Sequence, residues 1–259
     1  MKLRIFQVDA FTDYVFGGNP AAVCPLKEWL DDSIMQNIAL ENNLSETAFF
    51  TKKGEEYELR WFTPEVEVDL CGHATLATAH VLFDHLGYDK DEIHFQTKSG
   101  LLIISKEGNR LLMNFPTDEM PSIEPPAVLF QALGTRSDHV FKTDDYMVVL
   151  DTEDEVRDLN PDFRILSEVN ARGIIVTAPG DEVDFVSRFF CPGVGIDEDP
   201  VTGSAHTKLT PYWAKRLNKD ILEARQISER GGNLTCRYKG NRTEILGNAR
   251  TYMIGEITF

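Results

Sequence analysis

Several features that assign a chain to a familiar class are missing from this sequence. No apolar run approaches the roughly 20 residues that a membrane-spanning helix needs. The opening residues, MKLRIFQVDAFTDY, form an interrupted strand pattern rather than a signal peptide. The 4 cysteines are far apart and form no C-x-x-C pair. We therefore expect a soluble, cytoplasmic protein with reduced thiols and no membrane partner.

Basic residues are also scarce. The 259 residues include 26 Lys and Arg against 42 Asp and Glu, which gives a formal net charge of −16. No Lys/Arg cluster forms the basic face that nucleic-acid binders carry. The patterns G-x-x-x-x-G-K-[ST], G-x-G-x-x-G and G-x-S-x-G are all missing. Nucleic-acid binding, nucleotide binding and α/β-hydrolase chemistry are thus disfavoured.

What the chain does contain is a succession of short strand patterns and two helical ones. The strand patterns are RIFQVDAF, SETAFFTKK, EYELRWF and LLIISKEGNRLLMNF, the last with EGNR as a hairpin turn. WLDDSIMQNIALEN and HATLATAHVLFDHLG are typical of helices, the second ended by Gly87 as its C-cap. With 42% hydrophobic residues, this content predicts an α/β (α+β) fold with a sizeable core.

The two halves of the chain resemble each other. Residues 60–69, RWFTPEVEVD, and residues 188–197, RFFCPGVGID, share the pattern R-[WF]-F-x-P-x-V-x-[VI]-D. The match continues upstream, where SETAFFTKKGEE aligns with ARGIIVTAPGDE, and downstream, where GHA aligns with GSA. An internal duplication is the interpretation we favour. Two similar strand–helix units in an otherwise unrelated fold are the alternative.

A duplication predicts two similar α/β lobes, residues 1–116 and 121–259, with the last strand free to pair back onto the first lobe. The stretch FPTDEMPSIEPP, with its four prolines, would join them. Each lobe then has a strand-to-helix turn: the first turn is residues 69–74 and the second turn is residues 197–204. Helix N-termini favour anions, and ligands favour clefts between domains. We expect an active-site cleft between the lobes, with both turns facing a small carboxylate.

The two turns carry the residues whose side chains could take part in catalysis or substrate binding. The first turn has Cys71 and His73, and the second has Asp199, Thr202 and Ser204. Because a helix N-terminus disfavours an imidazolium, a neutral His73 would donate a hydrogen bond to a substrate oxygen. Each of these residues also has a structural alternative. His73 could be hydrogen-bonded to the backbone, Asp199 could cap the turn, and Cys71 could be a small buried hydrophobic residue.

A metal site is not predicted. His73, His80 and His85 are seven and five residues apart, so no two of them form an i, i+4 pair on one helix face.

Glu46 is the other candidate in the first lobe. It precedes the apolar residues AFF, and an acid at the mouth of a buried strand is partly shielded from water, which suits a general acid–base. The aligned residue in the second lobe is Arg172, so the repeated unit does not need an acid at this position. A solvated residue at a strand end is the alternative.

Five sequence blocks occur in order and with suitable spacing. They are VDAFTDYVFGGNPAAV, SETAFF, CGHATLATAH, LLMNFP and DEDPVTGSAH. Together they resemble the PhzF-like (phenazine-biosynthesis) isomerase family, whose fold is similar to that of diaminopimelate epimerase. The resemblance covers nearly the whole chain and implies two paired lobes, in agreement with the repeat.

The resemblance also implies roles in the first lobe. Glu46 corresponds to the acid–base that moves a proton from one substrate carbon to another. His73, after Gly72, corresponds to a histidine near the substrate. Asn19, in the GGNP loop, corresponds to a segment close to the cleft.

In the second lobe, the resemblance implies that Asp199 and Ser204 hold the amino and carboxylate groups of the substrate, with Thr202 and Gly203 beside them. The implied reaction is an isomerisation of a small carboxylate such as trans-2,3-dihydro-3-hydroxyanthranilate, without cofactor or metal. The implied assembly is a homodimer.

The sequence departs from the family pattern in three places. Asn114 stands in LLMNFP where an aspartate is expected. The helix after the second turn, HTKLTPYWAKRL, is bulkier and more polar than the expected run of small residues. His206 adds a second imidazole that could change the ligand.

Two other functions stay open at this point. A thiol-based racemase or epimerase needs a cysteine on each face of the substrate carbon. Cys71 could be one, but the second turn has none, and Cys191 aligns with Thr63 and is interpreted as structural. A non-catalytic binding protein for small carboxylates would keep both turns but would have no need of Glu46.

Overall fold

The computed structural model describes the backbone of residues 1–259 and every side chain except that of residue 194. It divides into two compact units: unit 1 is Met1–Asn114 with Glu244–Phe259, and unit 2 is Phe115–Thr243. The predicted mixed α/β fold is confirmed. The lobe boundaries predicted from the sequence stay a prediction.

The elements follow one another in a similar order in both halves of the chain. The first half contains β1 (Lys2–Ala10), β2 (Asn19–Leu26), α1 (Asp32–Asn42), β3 (Glu46–Lys53), β4 (Glu56–Phe62), β5 (Glu67–Val68), α2 (Gly72–His85), β6 (Glu92–Thr97), β7 (Gly100–Glu107) and β8 (Arg110–Pro116). The second half contains α3 (Ala127–Leu133), β9 (Val140–Lys142), β10 (Tyr146–Val149), α4 (Glu153–Arg157), α5 (Phe163–Leu166), β11 (Ile174–Pro179), β12 (Phe185–Cys191), a 3₁₀ turn (Pro192–Val194), β13 (Ile196–Glu198), α6 (Gly203–Leu217), β14 (Ile221–Gln226), β15 (Gly232–Tyr238), β16 (Arg242–Gly247) and β17 (Ala249–Thr258).

Strand pairing follows the same rule within each unit. In unit 1, β1 and β2 are antiparallel, β2 and β3 parallel, β3 and β4 antiparallel, β4 and β6 parallel, and β6 and β7 antiparallel. In unit 2, the pairs β9–β10, β10–β11, β11–β12, β12–β14 and β14–β15 show the same alternation. Repeated pairing of this kind is what the sequence duplication predicts. In addition, the last strand, β17, pairs antiparallel with β1.

One helix in each unit is buried on almost all sides. Every residue of α2 from His73 to Leu82 is buried, and α2 lies against β1, β2 and β3. In unit 2, α6 is buried over most of its length and lies against β14 and β15. A helix with an apolar environment all round is a core helix, so its N-terminus is held firmly. No helix in the part of the chain that the structure describes combines the length and apolarity of a membrane-spanning segment.

Pro211 lies inside α6 and needs a compensating contact. A proline has no N–H, so the Thr207 carbonyl, four residues earlier, loses its donor within the helix. The N–H of Asp118 donates to that carbonyl instead, at 3.2 Å. The segment predicted as a linker is therefore bonded to α6 within unit 2.

The predicted elements agree with the structure in type and differ at some ends. The EGNR hairpin is present, since Glu107 pairs with Arg110. Helix α2 ends at His85 with Leu86 as its C-cap, and Gly87 follows with a φ of +69°, so the predicted cap, Gly87, stands one position beyond the observed one. β2 carries no strand prediction because its sequence, NPAAVCPL, contains two prolines, yet it lies between β1 and β3.

Gly18 provides a test of how the start of β2 is held. Its φ is +63°, and a Cβ would lie 2.1 Å from the carbonyl oxygen of Ala10. Gly18→Ala therefore has to move backbone and should lower the free energy of unfolding by more than about 3 kcal/mol. Gly54 is the matched control, since its φ is +65° but nothing lies within 4 Å of its missing Cβ. Gly54→Ala should cost only about 1 kcal/mol.

Urea denaturation of the two variants measures this difference. Equal losses of stability in the two variants would contradict the close approach at Gly18.

Candidate active site

In unit 1, the predicted residues come together at one edge of the sheet. Asn19 begins β2 and Glu46 begins β3, and these strands are parallel, so their N-terminal ends meet. Cys71 is the N-cap of α2, Gly72 its first residue and His73 its second. The structure thus places every predicted side chain of the first lobe around the N-terminus of α2.

The imidazole of His73 is at the centre of this group. Its Nδ1 lies 3.2 Å from Nδ2 of Asn19 and 3.5 Å from Sγ of Cys71. Its Nε2 lies 3.0 Å from Oε2 of Glu46. Both His73 and Asn19 are buried, and the side chain of Glu46 is only 14% exposed. The ring therefore lies between a thiol and a carboxylate in a largely dry environment.

The electrostatics of this group determine its protonation. Burial raises the pKa of the Cys71 thiol to about 11, and the Glu46 carboxylate adds to this, so Cys71 is protonated at neutral pH. Burial lowers the pKa of His73, but its interactions with Cys71 and with the Glu46 carboxylate outweigh it and hold that pKa well above its usual value. The sequence argument predicts a neutral ring because the N-terminus of α2 disfavours a positive charge. The carboxylate of Glu46 acts in the opposite direction and favours the protonated ring.

Two buried atoms of this group are left for a ligand. Among the residues that the structure describes, neither Oε2 of Glu46 nor Nε2 of His73 has a partner with the geometry of a hydrogen bond, despite their 3.0 Å separation. Buried polar atoms are nearly always hydrogen-bonded, and exceptions are found at functional sites. A bound substrate would satisfy both atoms.

In unit 2, the second turn is held by hydrogen bonds. The Thr202 hydroxyl donates to Oδ2 of Asp199 at 2.6 Å, and Thr202 is the N-cap of α6. The side chain of Gln226 accepts from the Thr202 N–H at 2.9 Å and donates to the Asp199 carbonyl at 2.7 Å. Gly203 and Ser204 follow as the first residues of α6. The turn is therefore a fixed surface of backbone and side-chain polar groups.

Gln226 is a residue that sequence reasoning missed. It ends β14, it is fully buried, and it lies far along the chain from the turn that it holds. A single glutamine at a strand end carries no local signal.

Ser204 is held by a network of charges that is buried in part. Arg172 donates from Nη1 to the Ser204 hydroxyl oxygen at 3.0 Å and from Nε to Asp145 at 2.9 Å. Nζ of Lys208 lies 3.1 Å from the same Asp145 and 3.0 Å from Asp144. Asp145 and Lys208 are almost fully buried. Because Arg172 donates to its oxygen, the hydroxyl of Ser204 keeps its own hydrogen for another acceptor.

The two units use equivalent positions for different chemistry. In the sequence repeat, Glu46 aligns with Arg172 and His73 aligns with Ser204. Glu46 contacts His73 at 3.0 Å in unit 1, and the residues aligned with them, Arg172 and Ser204, contact each other at 3.0 Å in unit 2. The N-cap before each pair also differs, since Cys71 in α2 corresponds to Thr202 in α6.

His206 supports the second turn from inside the core. It has no exposed surface, its Nδ1 lies 2.8 Å from the Thr202 carbonyl, and its ring packs beside Phe185. Burial lowers the pKa of His206 to about 4, so the ring is neutral and Nδ1 carries the donated hydrogen. The sequence argument considers His206 as an imidazole that could change the ligand, but here it fixes the backbone of the turn.

Comparison with known proteins adds a family and a set of relatives. The family of phenazine biosynthesis-like proteins (PhzC-PhzF) matches residues 8–255. An uncharacterized isomerase of Pseudomonas aeruginosa is 54% identical over 257 residues, which is 99% of each chain. A phenazine biosynthesis-like domain-containing protein of Homo sapiens is 37% identical and covers 100% of each chain.

Solved structures show the same likeness. A phenazine biosynthesis protein of the PhzF family from Enterococcus faecalis superposes with a TM-score of 0.98 at 49% identity and covers 100% of each chain. A probable proline racemase from Agrobacterium radiobacter has a TM-score of 0.66 at 10% identity, over 99% of this chain and 93% of that one. The similarity to the racemase is one of fold alone.

The buried His206 predicts how stability depends on pH. Its pKa is about 4 in the folded state and about 6.5 in the unfolded state. The contribution of the neutral ring to the free energy of unfolding is therefore complete above pH 6.5 and is lost as the pH falls towards 4. Between pH 7 and pH 5, the free energy of unfolding should fall by about 2 kcal/mol more in the wild type than in His206→Asn, whose amide N–H takes the place of Nδ1.

Urea denaturation at the two pH values checks this, with the exposed His139 as control. His139→Asn should keep the pH dependence of the wild type. Identical pH dependence in His206→Asn and the wild type would contradict a neutral buried His206.

Proposed function

The chain belongs to the phenazine biosynthesis-like (PhzF) family and is an isomerase, and on this basis we propose that it moves a proton between two carbons of a small carboxylate, with Glu46 as the acid–base. The observation that carries the proposal is the contact of Glu46 with His73 at 3.0 Å in a largely buried site. Trans-2,3-dihydro-3-hydroxyanthranilate, cyclic carboxylates and amino acids are the substrates to test.

Glu46 serves both halves of the reaction. Its carboxylate removes a proton from one substrate carbon, the electrons of that C–H bond shift the double bond, and the carboxylic acid returns the proton to another carbon. One group suffices if the two carbons lie on the same face of the substrate, and the dry surroundings slow the loss of the proton to water.

His73 stabilises the charge that develops during this transfer. Removing a proton next to a carboxylate or carbonyl places negative charge on a substrate oxygen, and a donor aimed at that oxygen lowers the barrier. Nε2 of His73 lies beside Glu46 and carries a hydrogen both in the imidazolium, which its raised pKa favours, and in the neutral ring whose Nδ1 accepts from the Asn19 amide. The backbone N–H of Gly72 is a further donor at the N-terminus of α2.

The second turn holds the substrate. The N–H groups of Gly203 and Ser204 begin α6, where free donors and the helix dipole favour a carboxylate. The Ser204 hydroxyl, which accepts from Arg172, donates its hydrogen to the same group. Asp199 receives the amino group of the substrate, and Thr202 fixes the carboxylate of Asp199 by a bond of 2.6 Å.

A racemase or epimerase is the second candidate, and one observation supports it. The fold is shared with a probable proline racemase and with a hydroxyproline epimerase of Agrobacterium vitis bound to trans-4-hydroxy-L-proline, both at 10% identity. A two-thiol mechanism needs a second cysteine opposite Cys71, and the equivalent N-cap in unit 2 is Thr202. Burial also raises the pKa of Cys71 to about 11, which disfavours a reactive thiolate. Proton transfer by Glu46 is therefore the better proposal.

Glu46→Gln tests the acid–base role. This variant keeps the shape of the side chain but removes the base, so turnover should fall at least about 1000-fold while ligand binding changes little. The measurement is deuterium incorporation from solvent into the candidate substrates, followed by mass spectrometry. Glu41→Gln, an exposed acid in α1, is the matched control and should behave as the wild type. Undiminished exchange in Glu46→Gln would refute the mechanism.

Ser204→Ala tests the carboxylate contact. Loss of one hydrogen bond to a charged group should raise KM about 10-fold or more and leave kcat nearly unchanged. Ser187→Ala is the control, because Ser187 is also buried in unit 2 and its hydroxyl has no partner among the described residues. A kcat loss in Ser204→Ala without a change in KM would contradict a binding role. Sedimentation of the same samples would test the homodimer that we also propose.

A further inference from the structure

The side chains around His73 have a second property that proton transfer does not use. A carboxylate oxygen of Glu46, the sulfur of Cys71 and a ring nitrogen of His73 all lie within 4.8 Å of one another. In the part of the chain that the structure describes, no other three side chains of metal-binding type meet this closely. The three donors come from β3, from the residue before α2 and from α2, which is why residue spacing along the chain predicts no metal site.

The separations suit a tetrahedral ion. Bonds of about 2.3 Å to sulfur and about 2.0 Å to nitrogen place these two ligands about 3.5 Å apart. Sγ of Cys71 and Nδ1 of His73 are 3.5 Å apart. A carboxylate oxygen of Glu46 belongs to the same group of atoms within 4.8 Å, and rotation of its side chain towards the ion would complete the three ligands.

One buried atom points to a ligand here. Oε2 of Glu46 lacks a hydrogen-bond partner among the described residues, and an ion held by Sγ of Cys71 and Nδ1 of His73 would supply one. The donor types also select the ion, because a thiolate with an imidazole favours zinc or cobalt over magnesium or calcium. Three protein ligands leave a fourth position for water.

We propose that Glu46, Cys71 and His73 bind a divalent cation of the zinc class and that the bound ion inhibits the isomerase. On binding, the thiol of Cys71 and Nδ1 of the His73 imidazolium each exchange their proton for a bond to the metal, and both protons go to solvent. The lone pair of Glu46 that would remove the substrate proton is then engaged by the metal. The inhibition rests on the function proposed above, whereas the binding of the ion does not.

Cobalt is the probe for binding. A thiolate bound to Co²⁺ absorbs in the near ultraviolet, so titration of the purified protein with Co²⁺ should give one intense band at one ion per chain, and Zn²⁺ should displace it. In Cys71→Ser the band should disappear and the affinity for Zn²⁺, measured by calorimetry, should fall at least about 100-fold. Serine is a favourable N-cap, so this variant should keep α2 folded, which circular dichroism verifies.

Cys24→Ser is the matched control. Cys24 is also a buried thiol of unit 1, in β2, and does not belong to the cluster. This variant should bind Co²⁺ as the wild type does. A band that persists in Cys71→Ser, or no band in the wild type, overturns the site.

Activity separates this inference from the proposed function. With a substrate identified by the exchange assay, Zn²⁺ should abolish turnover and a chelator should restore it. A cobalt band in a protein that turns over no substrate would support the metal site and count against the proposed function. Turnover that is unaffected by saturating Zn²⁺ would overturn the inhibition.

Discussion

The parallel pairing of β2 and β3 beside a buried helix is the constraint on which the candidate site depends. Parallel strands bring their N-terminal ends to one edge, and this edge carries Asn19 and Glu46. The N-terminus of α2 supplies Cys71 and His73 at the same place. Since α2 is surrounded by the strands of its unit, the backbone that carries these groups is held in place. Fixed positions of this kind are what a proton transfer over a short distance requires.

The duplication explains how one architecture holds two kinds of chemistry. Both units place a pair of contacting side chains at the start of a buried helix, and the pairs are Glu46 with His73 and Arg172 with Ser204. The first pair is suited to moving a proton and the second to fixing a hydroxyl. In the function proposed above, keeping the backbone while exchanging the side chains separates reaction from binding, because each unit can change one without disturbing the other.

The sequence predicts the fold class and the family because both depend on local patterns. Alternating strands, turn residues and the repeated R-[WF]-F-x-P block are all visible within short windows. The residues that hold the second turn in place cannot be predicted from such short windows. Gln226, Lys208 and His206 act through contacts that exist only after the chain has folded, and each has an ordinary surface or core alternative in the sequence. Likewise, the raised pKa of His73 depends on a carboxylate from another element.

The pairing of the first strand with the last has a consequence for synthesis on the ribosome. β1 is made long before its partner β17, with Lys2 opposite Thr258. Unit 2 is one continuous stretch, Phe115–Thr243, and all of its residues are made before unit 1 is completed by Glu244–Phe259. During translation, the segment that carries Glu46 and His73 must therefore wait with one side of β1 unpaired. This interval, in which an open strand edge is exposed, is when the nascent chain is most in need of protection from aggregation.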